Sequence, residues 1–332
     1  MAGPNHHTIP RFLQNGFAHE KFGKNAWVWV YYRDGQNAYD KTKNIGAEDR
    51  FYGDGQENAD PAITEVENKI VPLVQELRSL DHSGPMDDPL VPEMVAHFCV
   101  RTHSVRKQVT QMVEEVPRLM RSLISDRKIV RSMIQREFAK RIAASGLSHD
   151  QSAFVMKTAN AYLDDNMHLL QQGGTEVMRA VEQDIPSMMS SLHNKALQEN
   201  PDAPGRADEL RKLRWYIIIL PRHLVLGDMV CFFETNGRRR YKPLHEGRRE
   251  LVRAYMPVAS DRILVGTIYN TCPSLAADQV NIVSARCSTE YFISSEELPA
   301  DSVLVRAIGE WSDLVPKEEI QRIRSAVKLE LC

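Results

Sequence analysis

"RWYIIILPRHLVLGDMVCFFET", residues 214 to 235, is where the chain stops reading as helix and the fold class is decided. Its apolar runs are rich in Ile, Val, Trp, Tyr and Phe and are parted by Pro221, so strands separated by a turn are expected. The run "WYIIIL" is far shorter than the roughly 20 apolar residues that a bilayer-spanning helix needs. No membrane partner is therefore expected. Asp228 interrupts what otherwise reads as a buried strand, and a buried charge is costly unless it is paired or coordinates a metal. It either accepts hydrogen bonds from a turn, pairs with an arginine such as Arg286, or is a functional carboxylate.

On the C-terminal side, "RILVGTIY" (262–269), "QVNIVSARC" (279–287) and "SVLVRAI" (302–308) read as further strands, which makes 214–310 a β-rich region before a C-terminal helix at 311–332. On the N-terminal side, 57–213 reads as helical. Ile63, Val66, Ile70, Leu73 and Leu77 recur at three- and four-residue spacing, with Pro72 expected to kink or divide that helix. After the breaking stretch "DHSGPMDDPLVP" a long helical tract runs to Gly146, interrupted at Pro117. Ser148 and Gln151 form a capping pattern for a helix that ends at Gly173 and Gly174, and another helix follows over 175–200. Methionines between 112 and 190 sit at loosely helical spacing and are read as packing, with no cofactor role.

Residues 4–56 read as a small β-element, because "AWVWVYY" (26–32) runs into the turn signal "RDGQN" and a second short strand is expected near "NIGAEDRFYG". The order is therefore β, then α, then β, an α+β fold in a single domain over 1–332, in which the C-terminal strands are mixed or antiparallel and pack with the N-terminal element. A formal charge of −2 gives no whole-protein field for nucleic acid, which is neither indicated nor excluded as a partner. The concentrated basic stretch is "GRRRYKPLHEGRRELVR" (237–253), a phosphate-binding cluster or a solvated loop.

Five widely spaced cysteines without a C-x-x-C pair suit a reducing compartment, and no apolar run follows a basic start, so a cytoplasmic protein is expected. The P-loop, the dinucleotide fingerprint, the G-x-S-x-G elbow and H-E-x-x-H are all missing from the sequence. What remains is "PNHHTIPRFLQNGFA" (4–18), with adjacent His6 and His7. On an extended strand the two rings point to opposite faces, so only one is expected to line a site.

These stretches resemble the DUF4238 family, a widespread and mostly bacterial family of unknown function whose members open with His-His-x-Val-Pro. Here the opening is "HHTIPRFLQNGFA", with Ile9 in place of Val. "WVWVYYRDG", "AEDRFYGD", "ITEVENKIVPLV" and "VAHFCVRTH" are similar to its successive strand, Ala-Glu-x-x-Phe-Tyr element, Glu-rich helix and Arg-Thr helix. "RWYIIILPRHLVLGDMV" is similar to its Trp-containing strand and Ser-Asp-x-Pro turn, with Asp228 at the Asp. "YMPVASDRILVG" and "QVNIVSARCSTEYFIS" resemble its closing segments. The likeness covers residues 4 to 295, and departs from the pattern at Gly227 for Ser and Val230 for Pro. It implies one cooperative domain, with His6, His7 and Asp228 in the family pattern, and implies no reaction.

Two functions are compatible with these residues. One is a metal-dependent hydrolase, such as a nuclease, with His6, His7 and Asp228 on a divalent metal ion, Arg101 or Arg286 offsetting phosphate charge, and His103 as a further ligand. The other is a non-catalytic interaction or structural protein, in which the His pair is a buried hydrogen-bonded clasp and the helical middle binds a protein partner.

Overall fold

Short strands open the chain in the structure, a computed structural model that describes residues 5–55, 58–237, 239–245, 251–299, 301–315 and 317–331. They are β1 (Asn5–His7), then, after helix α1 (Arg11–Gln14), β2 (Glu20–Phe22), β3 (Asn25–Tyr32), β4 (Asn37–Lys41) and β5 (Ala47–Asp49). α2 (Asp60–Ser79), β6 (Gly84–Met86) and the helices α3 (Leu90–Arg101), α4 (His103–Ser125), α5 (Arg127–Ala144), α6 (His149–Glu199) and α7 (Pro204–Leu210) follow. The rest is β7 (Arg214–Ile219), β8 (Leu226–Gly227), β9 (Phe232–Thr235), β10 (Tyr241–Lys242), β11 (Leu251–Ala259), β12 (Arg262–Thr267), α8 (Ala277–Cys287), β13 (Tyr291–Ser294), α9 (Val303–Ala307) and α10 (Lys317–Leu331). The protein is of the α+β class, and its sheets are antiparallel.

Two compact units divide the chain, the first taking 1–108 and 189–314 and the second 109–188 and 315–332. In the first, a six-stranded sheet runs in the order β10-β9-β11-β12-β7-β6, so a strand from the helical region closes one edge. A second sheet, β2-β3-β13-β8 with β4 on β3, joins the N-terminal element to the C-terminal strands, with Tyr291 opposite Tyr32 and Ser294 opposite Trp29. β1 and β5 pair separately, His6 facing Glu48 across the ladder. The partly buried Arg78 guanidinium on α2 fastens these parts. It donates to Val258 O at 2.8 Å, Phe12 O at 2.8 Å and Leu13 O at 2.9 Å. Gly16 is required beside it, because a Cβ there would stand 2.2 Å from the guanidinium and 2.6 Å from Val258 O.

In the second unit α4, α5 and α6 pack through Leu123, Ile129, Leu163, Met167 and Ile185, all buried. Gln171 donates from Nε2 to Ile124 O and Ser125 O, closing the turn between α4 and α5 against α6.

Several expectations change. Pro72 and Pro117 lie inside undivided helices, and the tract breaks instead at Thr102, which is extended (φ −74, ψ 152), and at Asp126, whose carboxylate caps α5 by accepting from the amides of Lys128 and Ile129. α6 runs through Gly173 and Gly174. A Cβ on Gly174 would meet Ile124 at 3.1 Å, so this glycine permits a close helix approach and is no stop signal. The Ser148 and Gln151 capping box does form at the start of α6. "QVNIVSARC" and "SVLVRAI" are helical, not strands. Ala277, Val280, Asn281, Ser284 and Cys287 are buried at three- and four-residue spacing, and this period outweighs the β-branched composition. "HLVLGDMVCFFET" is no single strand either. β8 and β9 belong to different sheets, and the turn between them holds Val230 at φ 60.

Candidate functional site

β1, α1, α2 and the end of α3 line a cavity of about 270 Å³, with His6, His7, Arg11, Tyr52, Asp60, Glu67 and Arg101 among its walls. Both histidines line it, so alternation along β1 does not exclude one of them as expected. Both rings are held as the Nε2–H tautomer, through opposite edges. His6 Nδ1 accepts from the Tyr52 backbone N–H at 2.9 Å, which places the ring proton on Nε2. His7 Nε2 donates to Lys43 O at 3.0 Å, which leaves the lone pair on Nδ1. Burial, with Arg11 and Arg101 nearby, lowers the His7 pKa, so the ring is neutral at pH 7.

Arg101 is the centre of this arrangement, 2 % exposed at the C-terminal end of α3. Its Nε donates to Tyr52 Oη at 3.0 Å, its Nη2 to His7 O at 2.8 Å, and its Nη1 to the Glu67 carboxylate and, at 3.2 Å, to His97 Nε2. Tyr52 completes the loop, donating from Oη to His7 O at 3.2 Å and stacking on His6 with ring centroids 5.2 Å apart. His97 can accept because its Nδ1 donates to Pro201 O, and burial pushes its pKa down to about 4. Beneath the site Phe51, Tyr52, Ala59, Ile63 and Leu197 form an apolar cluster.

A second, partly buried guanidinium repeats the pattern on α4. Arg106 lies 3.6 Å over the Phe51 ring and donates to Phe51 O, Asn194 Oδ1, Ser190 Oγ and His193 Nδ1. His193 donates in turn to Val100 O and has its pKa pushed down to about 4, chiefly by burial.

Asp228 does not line the cavity. One carboxylate oxygen accepts from the Thr289 amide at 2.7 Å, the other from Glu290 at 2.7 Å and Tyr291 at 3.4 Å, and Ser104 adds a side-chain bond. Of the readings of this residue, the turn acceptor is the one seen. Burial raises its pKa to about 6 against the pull of those amides. Arg286 pairs with Glu310 at 2.8 Å and covers the Trp311 ring, so it serves neither Asp228 nor the cavity. His103 pairs with Glu48 at 2.6 Å, one residue before the Ser104 that reaches Asp228. Consecutive residues of α4 thus link the His6 partner strand to Asp228.

Among the described residues no group of three or more His, Cys, Asp or Glu side chains is arranged to hold a metal ion. His6 has committed Nδ1 to a backbone amide and Asp228 has committed both oxygens, so the ligand set expected from the sequence does not assemble. Sequence reasoning missed Tyr52, Glu67 and Arg106. Tyr52 and Glu67 stood in quoted stretches, "AEDRFYGD" and "ITEVENKIVPLV", and Arg106 three residues past "VAHFCVRTH" on α4, but nothing local distinguishes a packed tyrosine, glutamate or arginine from an exposed one.

The family model described as a protein of unknown function (DUF4238) matches residues 5–298. No curated protein and no solved structure matches the chain. No helix among the described residues is long and apolar enough to cross a membrane.

Proposed function

The chain belongs to the DUF4238 family of proteins of unknown function, and from that premise we propose that it is a non-catalytic interaction protein whose histidine pair is a hydrogen-bonded clasp. The observation that carries this reading is the guanidinium of Arg101, each edge of which is bonded within the fold. An arginine kept for phosphate would leave donors directed at the ligand. Here they hold the carbonyl of His7 and the phenol of Tyr52, and they anchor the first strand on α2 and α3. The partner surface in this reading is α6, which presents Tyr162, Leu169, Val177 and Met188 at 55 % exposure or more.

A second reading, a metal-dependent hydrolase or nuclease, is favoured by one feature. The neutral His7 ring and the carboxylates of Asp60 and Glu67 line the same cavity, and Asp228 has no part in it. In this reading the carboxylates would meet the divalent ion and His7, through its Nδ1 lone pair, would take the proton of a bound water.

Hydrolysis of bis(p-nitrophenyl) phosphate with Mg²⁺, Mn²⁺ or Zn²⁺, run beside thermal melts of His7→Ala and Arg101→Lys, separates the two. The clasp reading expects no hydrolysis that depends on His7 and a melting temperature lowered most by Arg101→Lys. Metal-dependent turnover that His7→Ala abolishes at an unchanged melting temperature would overturn it.

A further inference from the structure

The basic stretch 237–253 is not a uniformly solvated loop. Arg240 and Arg253 come together across β10, β9 and β11 at a second cavity of about 160 Å³, which they line with Tyr241, Tyr255 and residues 274–276 before α8. Their anchor is Glu234, 4 % exposed. One of its oxygens accepts from Arg240 Nε at 2.8 Å and Nη2 at 2.6 Å, and the other from Arg253 Nη1 at 2.9 Å and Tyr255 Oη at 2.8 Å.

The charge balance of this cluster is uneven. Two guanidinia face one carboxylate, and Glu234 is held ionised, its pKa lowered by the hydrogen bonds of Arg240, Tyr255 and Arg253 in spite of burial. The cavity therefore has one positive charge beyond what its own acid neutralises. The buried Nε–H of Arg253 has no acceptor among the described residues, a cost that native structures rarely carry without a reason. Arg240 is 62 % exposed at the side chain, so its remaining donors are open to solvent.

Other elements add to the same polarity. α8 starts at Ala277 without a side-chain cap, and Ala276 lines the cavity, so first-turn amides with no capping group lie at its edge. Asp278 in that turn is paired with Arg222 at 2.8 Å. Phe232 stacks on Tyr255 with ring centroids 4.8 Å apart, which gives the cavity a rigid apolar wall.

We propose that this cavity binds the phosphate group of a small phosphorylated molecule. Two guanidinia fixed by a shared carboxylate present their N–H forks to tetrahedral oxyanion oxygens without losing rotamer freedom on binding. The volume sets the size. Drug-sized ligands take about 300–1,000 Å³, so a space of about 160 Å³ admits a phosphate group and a few further atoms, with any larger remainder outside. Arg286, singled out from the sequence for offsetting phosphate charge, stands behind this wall, its guanidinium on Trp311 and Trp311 stacked on Tyr241. It is neutralised by Glu310 and takes no part.

The test is calorimetric titration of the full chain with inorganic phosphate, glycerol 3-phosphate and acetate, at low and moderate salt. Arg240→Gln serves as the main variant, since its exposed side chain can be lost without opening the core. Arg253→Lys keeps the charge and removes the fork. Binding of either phosphate that weakens about tenfold in Arg240→Gln and also falls in Arg253→Lys, at unchanged melting temperatures, supports the site. Tighter binding of the ester identifies a phosphorylated molecule as ligand, and equal binding identifies the free anion. Acetate binding as tight as phosphate, no heat with any probe at millimolar concentration, or phosphate binding that ignores both substitutions overturns it.

Discussion

The His6 ring accepts the backbone N–H of Tyr52 and stacks on the Tyr52 side chain, at 2.9 Å between Nδ1 and N and 5.2 Å between ring centroids. One residue thereby satisfies a buried amide and covers the aromatic ring attached to it. An asparagine oxygen can take the place of Nδ1, whereas alanine leaves the amide without an acceptor, a loss of about 1–3 kcal/mol. His6→Ala is expected to lower stability by about that much, and His6→Asn to recover part of it. His7→Ala removes one half-exposed bond to Lys43 O and is expected to cost about 1 kcal/mol or less. Urea unfolding of the three variants checks the order, and His7→Ala costing more than His6→Ala would contradict it.

The histidines beneath this site make stability depend on pH in a defined direction. His97 and His193 have pKa values pushed from 6.5 to about 4, chiefly by burial, so in the folded state both are neutral acceptors for Arg101 and Arg106. Between pH 6.5 and about 4 the unfolded chain binds the protons that the folded chain refuses, so stability falls as pH falls through that window. Each shift corresponds to about 3 kcal/mol. Denaturation midpoints measured from pH 7 to pH 4.5 are expected to drop, the two histidines contributing a slope approaching two protons that Asp228 offsets in part, and His193→Gln to remove one of the two. A flat profile over that range would show that one or both rings are not held neutral.

How far the sequence reveals this arrangement depends on the range of the interactions. "AWVWVYY" and "RWYIIIL" announce strands because composition and alternation are local properties, and both are strands in the sheets of the first unit. The β-branched run in 279–287 misleads because tertiary packing selects the helical period there. His6 and His7 are conspicuous as a pair, but their tautomers depend on Tyr52 and Lys43, more than thirty residues away. Asp228 is rightly singled out as a buried charge. Its partners are backbone amides at 289–291, which carry no side-chain signature, so sequence alone left turn acceptor and metal ligand both open.

Asp228 also has a testable titration. Burial raises its pKa from 3.8 to about 6, so the folded state binds a proton more tightly than the unfolded chain does. For an acid shifted upward the stabilising contribution is full below pH 3.8 and is lost as pH rises through about 6. Asp228→Asn cannot accept at both positions, because its amide nitrogen meets an N–H donor, and a loss of about 1–3 kcal/mol at pH 7 is expected. The variant should also lose the downward trend between pH 4 and 6 that Asp228 imposes against the upward trend from His97 and His193. Melting curves of variant and wild type across that range report both effects, and parallel curves would rule out the shifted carboxyl.

The two sides of α6 are expected to respond oppositely to substitution. Leu163 and Met167 are buried in the second unit, at 5 % and 2 % exposure, whereas Leu169 and Val177 stand 55 % and 57 % exposed. Leu163→Ala should cost about 2–5 kcal/mol through lost transfer energy and the cavity left behind. Leu169→Ser and Val177→Ser touch no such packing and should each change stability by no more than about 0.5 kcal/mol in the isolated chain. If the exposed stripe is the partner surface, the same two substitutions are silent in stability and visible only in association. Sedimentation of the chain with and without them measures that directly for a second copy. A large stability loss from Leu169→Ser would instead place this face inside the fold and remove it as a docking surface.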